Sequence, residues 1–169
     1  MKKIIVRISE GLGNQLFMYA HAYALSKNIK YKLFIDSVSA YKKLKIRTYL
    51  LDRFNLKINY ASDLDIQDTY LKYMFHKLDK KIDIYRKKKK FLIEKRDVNK
   101  NTYFYEYDQK KFSSKVFING YFESEKYFHQ YKKELVSNLT IKNINFNNLF
   151  LDPQLIKNTN SISIAVRKN

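Results

Sequence analysis

Two glycines set between a short apolar strand and an amphipathic helix constrain this chain more than any other feature. Lys3-Ile4-Ile5-Val6-Arg7-Ile8 reads as the strand, and Gly11-Leu12-Gly13-Asn14-Gln15-Leu16-Phe17 follows almost at once. Leu16, Tyr19 or Ala20, Tyr23 and Ala24 recur at spacings of three and four, which predicts a helix. A strand that breaks on glycines and restarts as a helix leaves backbone N–H groups without partners at the helix start. Such groups form a ready site for phosphate or sugar oxygens. Two better-known phosphate loops are excluded here. Leu16 stands where a dinucleotide fingerprint needs its third glycine, and no Gly-Lys-Ser/Thr follows to make a P-loop. The plain alternative is a tight strand–helix turn that holds no ligand.

The rest of the chain extends the alternation. Tyr31 to Asp36 reads as a second strand that completes a βαβ unit, so the fold class is α/β. A helix is predicted from Ser62, with Ser62 as its cap and Asp63 and Asp65 in its first turn, running on through Ile66, Tyr70, Tyr73, Met74, Leu78 and Ile82. Val116 to Phe122 reads as a third strand, and Ser124 to Leu139 as another helix. The polar stretch Lys142 to Asn160 holds the only proline, Pro153, and Ser161 to Val166 reads as a fourth strand. The domain boundary falls in that connector, giving residues 1–157 as one domain and 158–169 as the opening of a second.

Charge and composition narrow the partners. With 34 Lys and Arg against 16 Asp and Glu, the chain carries a formal +18 and attracts polyanions. It has no cysteine, which excludes a disulfide framework and a zinc–thiolate site and is compatible with a reducing compartment. The apolar stretch after Met-Lys-Lys is too short for a signal peptide, and no run reaches the ~18 apolar residues of a membrane span. The expected location is the cytoplasm, with peripheral contact to the inner face of the membrane. Arg86, Lys87, Lys88, Lys89 and Lys90, with Lys95 and Arg96 beyond, read first as a solvated face. As a functional feature they suit anionic lipid better than nucleic acid, for which no binding motif is present.

Candidate chemistry is sparse. Asp63-Leu64-Asp65 spells a metal-chelating Asp-x-Asp, but acids in a helix's first turn are favoured electrostatically whatever the function, so no metal is expected there. His21, His76 and His129 share no metal-ligand spacing; His21 reads as packed among tyrosines, and the other two as helical. Asp36 and Glu123 follow strands, where a carboxylate reaches a cleft or caps a turn, and neither is singled out as a general base. Arg167 closes the last apolar strand at the sheet's carboxyl edge, where ligands gather in open α/β folds. Its fork can grip two diphosphate oxygens at once, which Lys168 cannot do.

Four stretches, in order, resemble the alpha-1,2-fucosyltransferases of bacteria and animals. They are Gly11 to Ala20, Arg47 to Leu56 with its Phe54-Asn55-Leu56, Asn119 to Phe128 with its Gly-Tyr-Phe-Glu-Ser-Glu-Lys-Tyr-Phe, and Ser161 to Asn169, which is similar to the start of a His-x-Arg-Arg-Gly-Asp motif. Ala165 replaces that motif's His and Lys168 its second Arg. The resemblance implies a Rossmann-like N-terminal domain of a GT-B-like glycosyltransferase of roughly 250–350 residues, of which this chain would be the first half. It implies transfer of L-fucose from GDP-fucose to the 2-hydroxyl of a galactose-terminated glycan, inverting and without metal or cofactor, in the assembly of a lipopolysaccharide O-antigen. Arg167 and Asn14 would be the catalytic residues, with Gly11, Gly13, Asn14, Gln15, Arg167 and Lys168 around the donor. The reading of a different class is a non-catalytic basic module on membrane or nucleic acid.

Overall fold

The computed structural model describes residues 1–42, 47–95, 104, 106–142 and 158–160. Four strands form one all-parallel sheet: β1 (Lys3–Arg7), β2 (Lys32–Asp36), β3 (Lys89–Ile93) and β4 (Phe112–Asn119), in the order β2-β1-β4-β3. The α-helices delimited among the described residues are α1 (Leu12–Ile29), α2 (Tyr70–Ile82) and α3 (Lys132–Asn138). The fold is α/β and Rossmann-like, as the βαβ pattern predicts. The predicted fourth strand at Ser161–Val166, Arg167, Lys168 and the second-domain boundary lie outside the described residues, apart from residues 158–160.

The register explains why the two faces of the sheet differ. Ile4 pairs with Val116 and Val6 with Ile118, all four buried on the face that packs against α1. The opposite face carries the alternate residues: Lys3, Ile5 and Arg7 beside Lys115, Phe117 and Asn119. On the apolar face, α1 places Met18, Ala22 and Leu25 in the core, and Ala20 and Ala24 are buried too. On the mixed face, α2 buries no residue completely. It touches the sheet through His76, whose ring packs edge-on against Phe91 and Phe117 at 4.7 Å.

Three predicted elements are shorter or shifted. The helix expected from Ser62 begins only at Tyr70, where Thr69 caps it through the Lys72 N–H; residues 62–66 form a turn. The reason is Asp65, which is buried and accepts hydrogen bonds from Ser62, Lys115 and Lys3. Lys3, the first residue of β1, is the register partner of Lys115 midway along β4, so Asp65 neutralises two like charges side by side on adjacent strands. The strand expected at Val116–Phe122 is Phe112–Asn119, because Gly120 and Phe122 turn the chain away with positive φ. The helix expected from Ser124 resolves into two single 3-10 turns, Glu125–Tyr127 and His129–Tyr131, before α3; His129 is therefore not in an α-helix.

The basic run is only partly a solvated face. Lys89 and Lys90 open strand β3, whose first amides are received by the buried Asp83 carboxylate, from Lys90 at 2.9 Å and Phe91 at 3.1 Å. Arg86 pairs with Asp79 and Asp83, and Lys90 with Asp79. Lys87 and Lys88 stay exposed, with no ion pair among the described residues; Arg96 lies outside them.

Candidate functional site

The strand order changes direction between β1 and β4, and open α/β sheets bind ligands outside the carboxyl ends of strands at such a point. Arg7 ends β1 and Asn119 ends β4, and the Arg7 Nη2 donates to Asn119 Oδ1 across the gap at 3.1 Å. Arg7 has no ion pair among the described residues, and its Nε is buried without a hydrogen-bond partner. An unsatisfied guanidinium nitrogen in such a place is costly unless a ligand completes it. In front of it opens a cleft of about 270 Å³, walled by Arg7, Ser9, Glu10, Ser39, Gln67, Tyr73 and Tyr121. One cation, one carboxylate, hydroxyls, an amide and two phenol rings form a lining suited to a polar, oxygen-rich ligand.

Like charges gather behind Arg7. Burial lowers the His76 pKa to about 4, helped by Lys80, and burial with the charge of Arg7 lowers that of Lys80. His76 is therefore neutral near pH 7, and the charges around it are Arg7 and Lys80 on one side and Asp36 and Asp79 on the other.

The glycine loop follows Glu10 in the chain, but Gly11, Gly13, Asn14 and Gln15 are not among the residues that line this cleft. Helix α1 starts at Leu12, four residues before Leu16, the first position of the periodicity, with Gly11 as an extended N-cap that has no side chain to offer. The first amide with a helical partner is Gln15, bonded to Gly11 O at 3.1 Å. Leu12, Gly13 and Asn14 therefore keep free N–H groups among the described residues, and no acid lies in the first turn to offset them. A Cβ at Gly13 would meet nothing within 4 Å, and one at Gly11 would make only ordinary contact with Arg47. Neither glycine is required by packing against the described residues. Asn14 is half-buried and its side chain bonds to no described residue.

Gln15 is placed differently from the other loop residues. It is fully buried, and its amide is spent on backbone: Nε2 donates to Glu10 O at 2.9 Å and Thr48 O at 2.8 Å, and Oε1 accepts from Leu50 N at 2.9 Å. It ties the segment around Thr48–Leu50 to the glycine loop, which explains why two resemblance stretches far apart in sequence belong together. Glu10 sits with φ of 64°, a left-handed conformation unusual for a residue with a side chain, and its carbonyl also accepts from the Tyr41 hydroxyl at 3.2 Å. Those bonds fix the strained residue and aim Glu10 at the cleft wall.

Other sequence candidates find structural roles. His21 is buried, stacked on Phe122 at 3.7 Å with Nε2 2.6 Å from the Tyr107 hydroxyl, and burial drops its pKa to about 3. The Asp36 carboxylate is buried and receives the amides of Val38 and Ser39. Asp65 lies with Lys3 at the amino edge of the sheet, the end away from the cleft, so Asp63-Leu64-Asp65 faces the wrong side for the nucleotide chemistry its spelling suggests. Sequence reasoning missed Arg7, Glu10, Gln67 and Tyr73 as cleft residues. The one available signal was Arg7, a charge ending an otherwise apolar strand.

The chain is 27% identical, over 169 residues and 99% of its length, to an alpha-1,2-colitosyltransferase of Escherichia coli. It spans 55% of that protein's length. No protein-family model matches the chain, and no solved structure does.

Proposed function

We propose that this chain is the Rossmann-like N-terminal half of a two-domain, GT-B-like glycosyltransferase that moves L-fucose from GDP-fucose to the 2-hydroxyl of a galactose in a surface glycan. The observation that carries the reading is Arg7 at the strand-order switch, whose Nε is buried without a partner among the described residues while its Nη2 is held by Asn119. The similarity to a transferase named for an alpha-1,2 linkage supports the same bond in the product. Colitose in that name leaves the fucosyl donor resting on the four resemblance stretches.

Transfer with inversion is one displacement. The acceptor's 2-hydroxyl oxygen attacks the anomeric carbon while the bond to GDP breaks, and the diphosphate leaves with the electron pair. Negative charge grows on that diphosphate, and Arg7, the free amides of Leu12 to Asn14 and, beyond the described residues, Arg167 and Lys168 are the groups that would stabilise it. Gly11 and Gly13 keep the approach open, Asn14 orients the sugar, and Gln15 holds the loop in place. Among the described cleft residues only Glu10 carries a carboxylate, and it is where the hydroxyl proton can go. No step needs a metal. The proposed setting is the cytoplasm, where a lipopolysaccharide O-antigen would be decorated.

The test is incubation of the two-domain protein with a panel of GDP-sugars and beta-galactosides, with product linkages read by NMR. An alpha-1,2-fucosylated galactoside is the expected product. Consumption of another sugar nucleotide would reassign the donor, and consumption of none would leave the basic binding module standing.

A further inference from the structure

We propose that the outward face of α2 is a docking surface for an anionic lipid bilayer. A surface helix ordinarily turns its apolar stripe toward the core. Here the orientation is reversed. Tyr73, His76 and Lys80 fall on the side that meets the sheet and cleft, whereas Leu71, Phe75, Leu78 and Ile82, spaced four, three and four, face out. They are 68%, 70%, 51% and 54% exposed. The apolar stripe continues past the helix through Ile84 and Tyr85, also exposed, and then meets the exposed Lys87 and Lys88.

Charge selects the occupant. Lys77 and Lys81 flank the stripe on α2 and, like Lys87 and Lys88, have no ion pair among the described residues. The acids nearby are already spent: Asp79 on Arg86 and Lys90, Asp83 on Arg86 and the β3 amides, Asp68 on Lys42 and Lys72. An apolar stripe bordered by unpaired lysines on a chain of net charge +18 complements anionic headgroups over an acyl layer. A second copy would set the same lysines against each other. Because Tyr73 of α2 also walls the cleft, a docked helix holds the cleft beside the bilayer. A lipid-linked acceptor follows from that only if the transferase reading holds; the docking itself does not depend on it.

The experiment uses the 169-residue chain and sedimentation with vesicles of phosphatidylglycerol and phosphatidylcholine, against phosphatidylcholine alone. Binding is expected on the anionic vesicles only, weakened by salt, and reduced at least tenfold in Leu71→Ser/Phe75→Ser. The chain has no tryptophan, so Phe75→Trp supplies a single reporter, and its emission should shift to the blue on anionic vesicles. Unchanged sedimentation of the double variant, or a Phe75→Trp emission indifferent to vesicles, overturns the proposal. So does a lipid-free dimer in analytical ultracentrifugation that Leu71→Ser/Phe75→Ser dissociates, which would assign the face to a second copy. Neither readout involves sugar transfer, so failure here leaves the transferase reading intact, and the reverse.

Discussion

Glu94, one residue past the end of β3, clasps the turn that Gly120 begins at the end of β4. Its carboxylate accepts the Tyr121 amide at 2.8 Å and the Phe122 amide at 3.1 Å. The fit leaves no space for a side chain on the turn: a Cβ at Gly120 would stand 2.4 Å from the Glu94 Cβ and 2.8 Å from the Phe122 ring. Phe122, at a positive φ of 52°, is thereby driven into the core against His21. Gly120 and Phe122 of this stretch are thus explained by packing, whereas Tyr121 between them lines the cleft.

Gly120→Ala should accordingly destabilise the fold by about 2 kcal/mol or more, since the clash is with an atom next to the backbone. Thermal unfolding would show a midpoint lower by roughly 5 °C. A midpoint within 1 °C, a threshold of order 0.3 kcal/mol, would mean that Glu94 swings away freely.

Glu10→Gly should do the opposite. A left-handed residue with a side chain costs roughly 1–2 kcal/mol, and glycine returns part of that as lost chain entropy. A net gain of about 0.5–1 kcal/mol is expected in urea unfolding. A loss would show that Glu10's side chain stabilises the loop more than its backbone strains it.

Asn14 and Gln15 are neighbours with separable roles. Asn14→Ala should leave the melting temperature nearly unchanged and lower turnover of the two-domain protein at least tenfold, about 1.4 kcal/mol. Gln15→Ala removes three buried hydrogen bonds and should cost about 2–3 kcal/mol of stability. Equal effects of the two on melting would contradict this division.

Acid should unfold the domain in two stages. Buried His21 and half-buried His76 have pKa values lowered by burial to about 3 and about 4 in the folded chain, well below the ordinary value of about 6.5. The unfolded chain therefore binds their protons first, and stability falls by up to about 1.4 kcal/mol per pH unit for each as pH drops below about 6. Burial by itself would raise the Asp65 pKa, but hydrogen bonds from Lys115, Lys3 and Ser62 outweigh it and lower the value. Its contribution is thus complete above about pH 4 and disappears as pH falls through the folded value. Urea titrations at several pH values should show His76→Gln flattening the first stage and Asp65→Asn flattening the second.

What the sequence made legible was local. The spacing Leu16, Tyr19, Tyr23 and the break at Gly11 locate α1 and β1 because period and punctuation act within a few residues. The Ser62 helix start was misread because its acid, Asp65, answers to Lys3 and Lys115, 62 and 50 residues away in the chain. Arg7 shows the same limit for the site: nothing within its strand says that Asn119 will lie beside it and take its Nη2 hydrogen bond. Gln15 was legible as part of a ligand loop but not as its brace, since its partners at Thr48 and Leu50 come from another stretch.

The claim at the centre of this account is that the cleft before Arg7 takes part in sugar transfer. Arg7→Met keeps an unbranched apolar stem, shorter than that of arginine, and removes the fork. Transfer of labelled fucose from GDP-fucose to a beta-galactoside should proceed in the two-domain protein, fall at least tenfold in Arg7→Met at unchanged melting temperature, and be absent from residues 1–169 alone. Full-rate transfer by a folded Arg7→Met protein would remove the cleft from the mechanism, and robust transfer by the isolated 169 residues would contradict the two-domain reading.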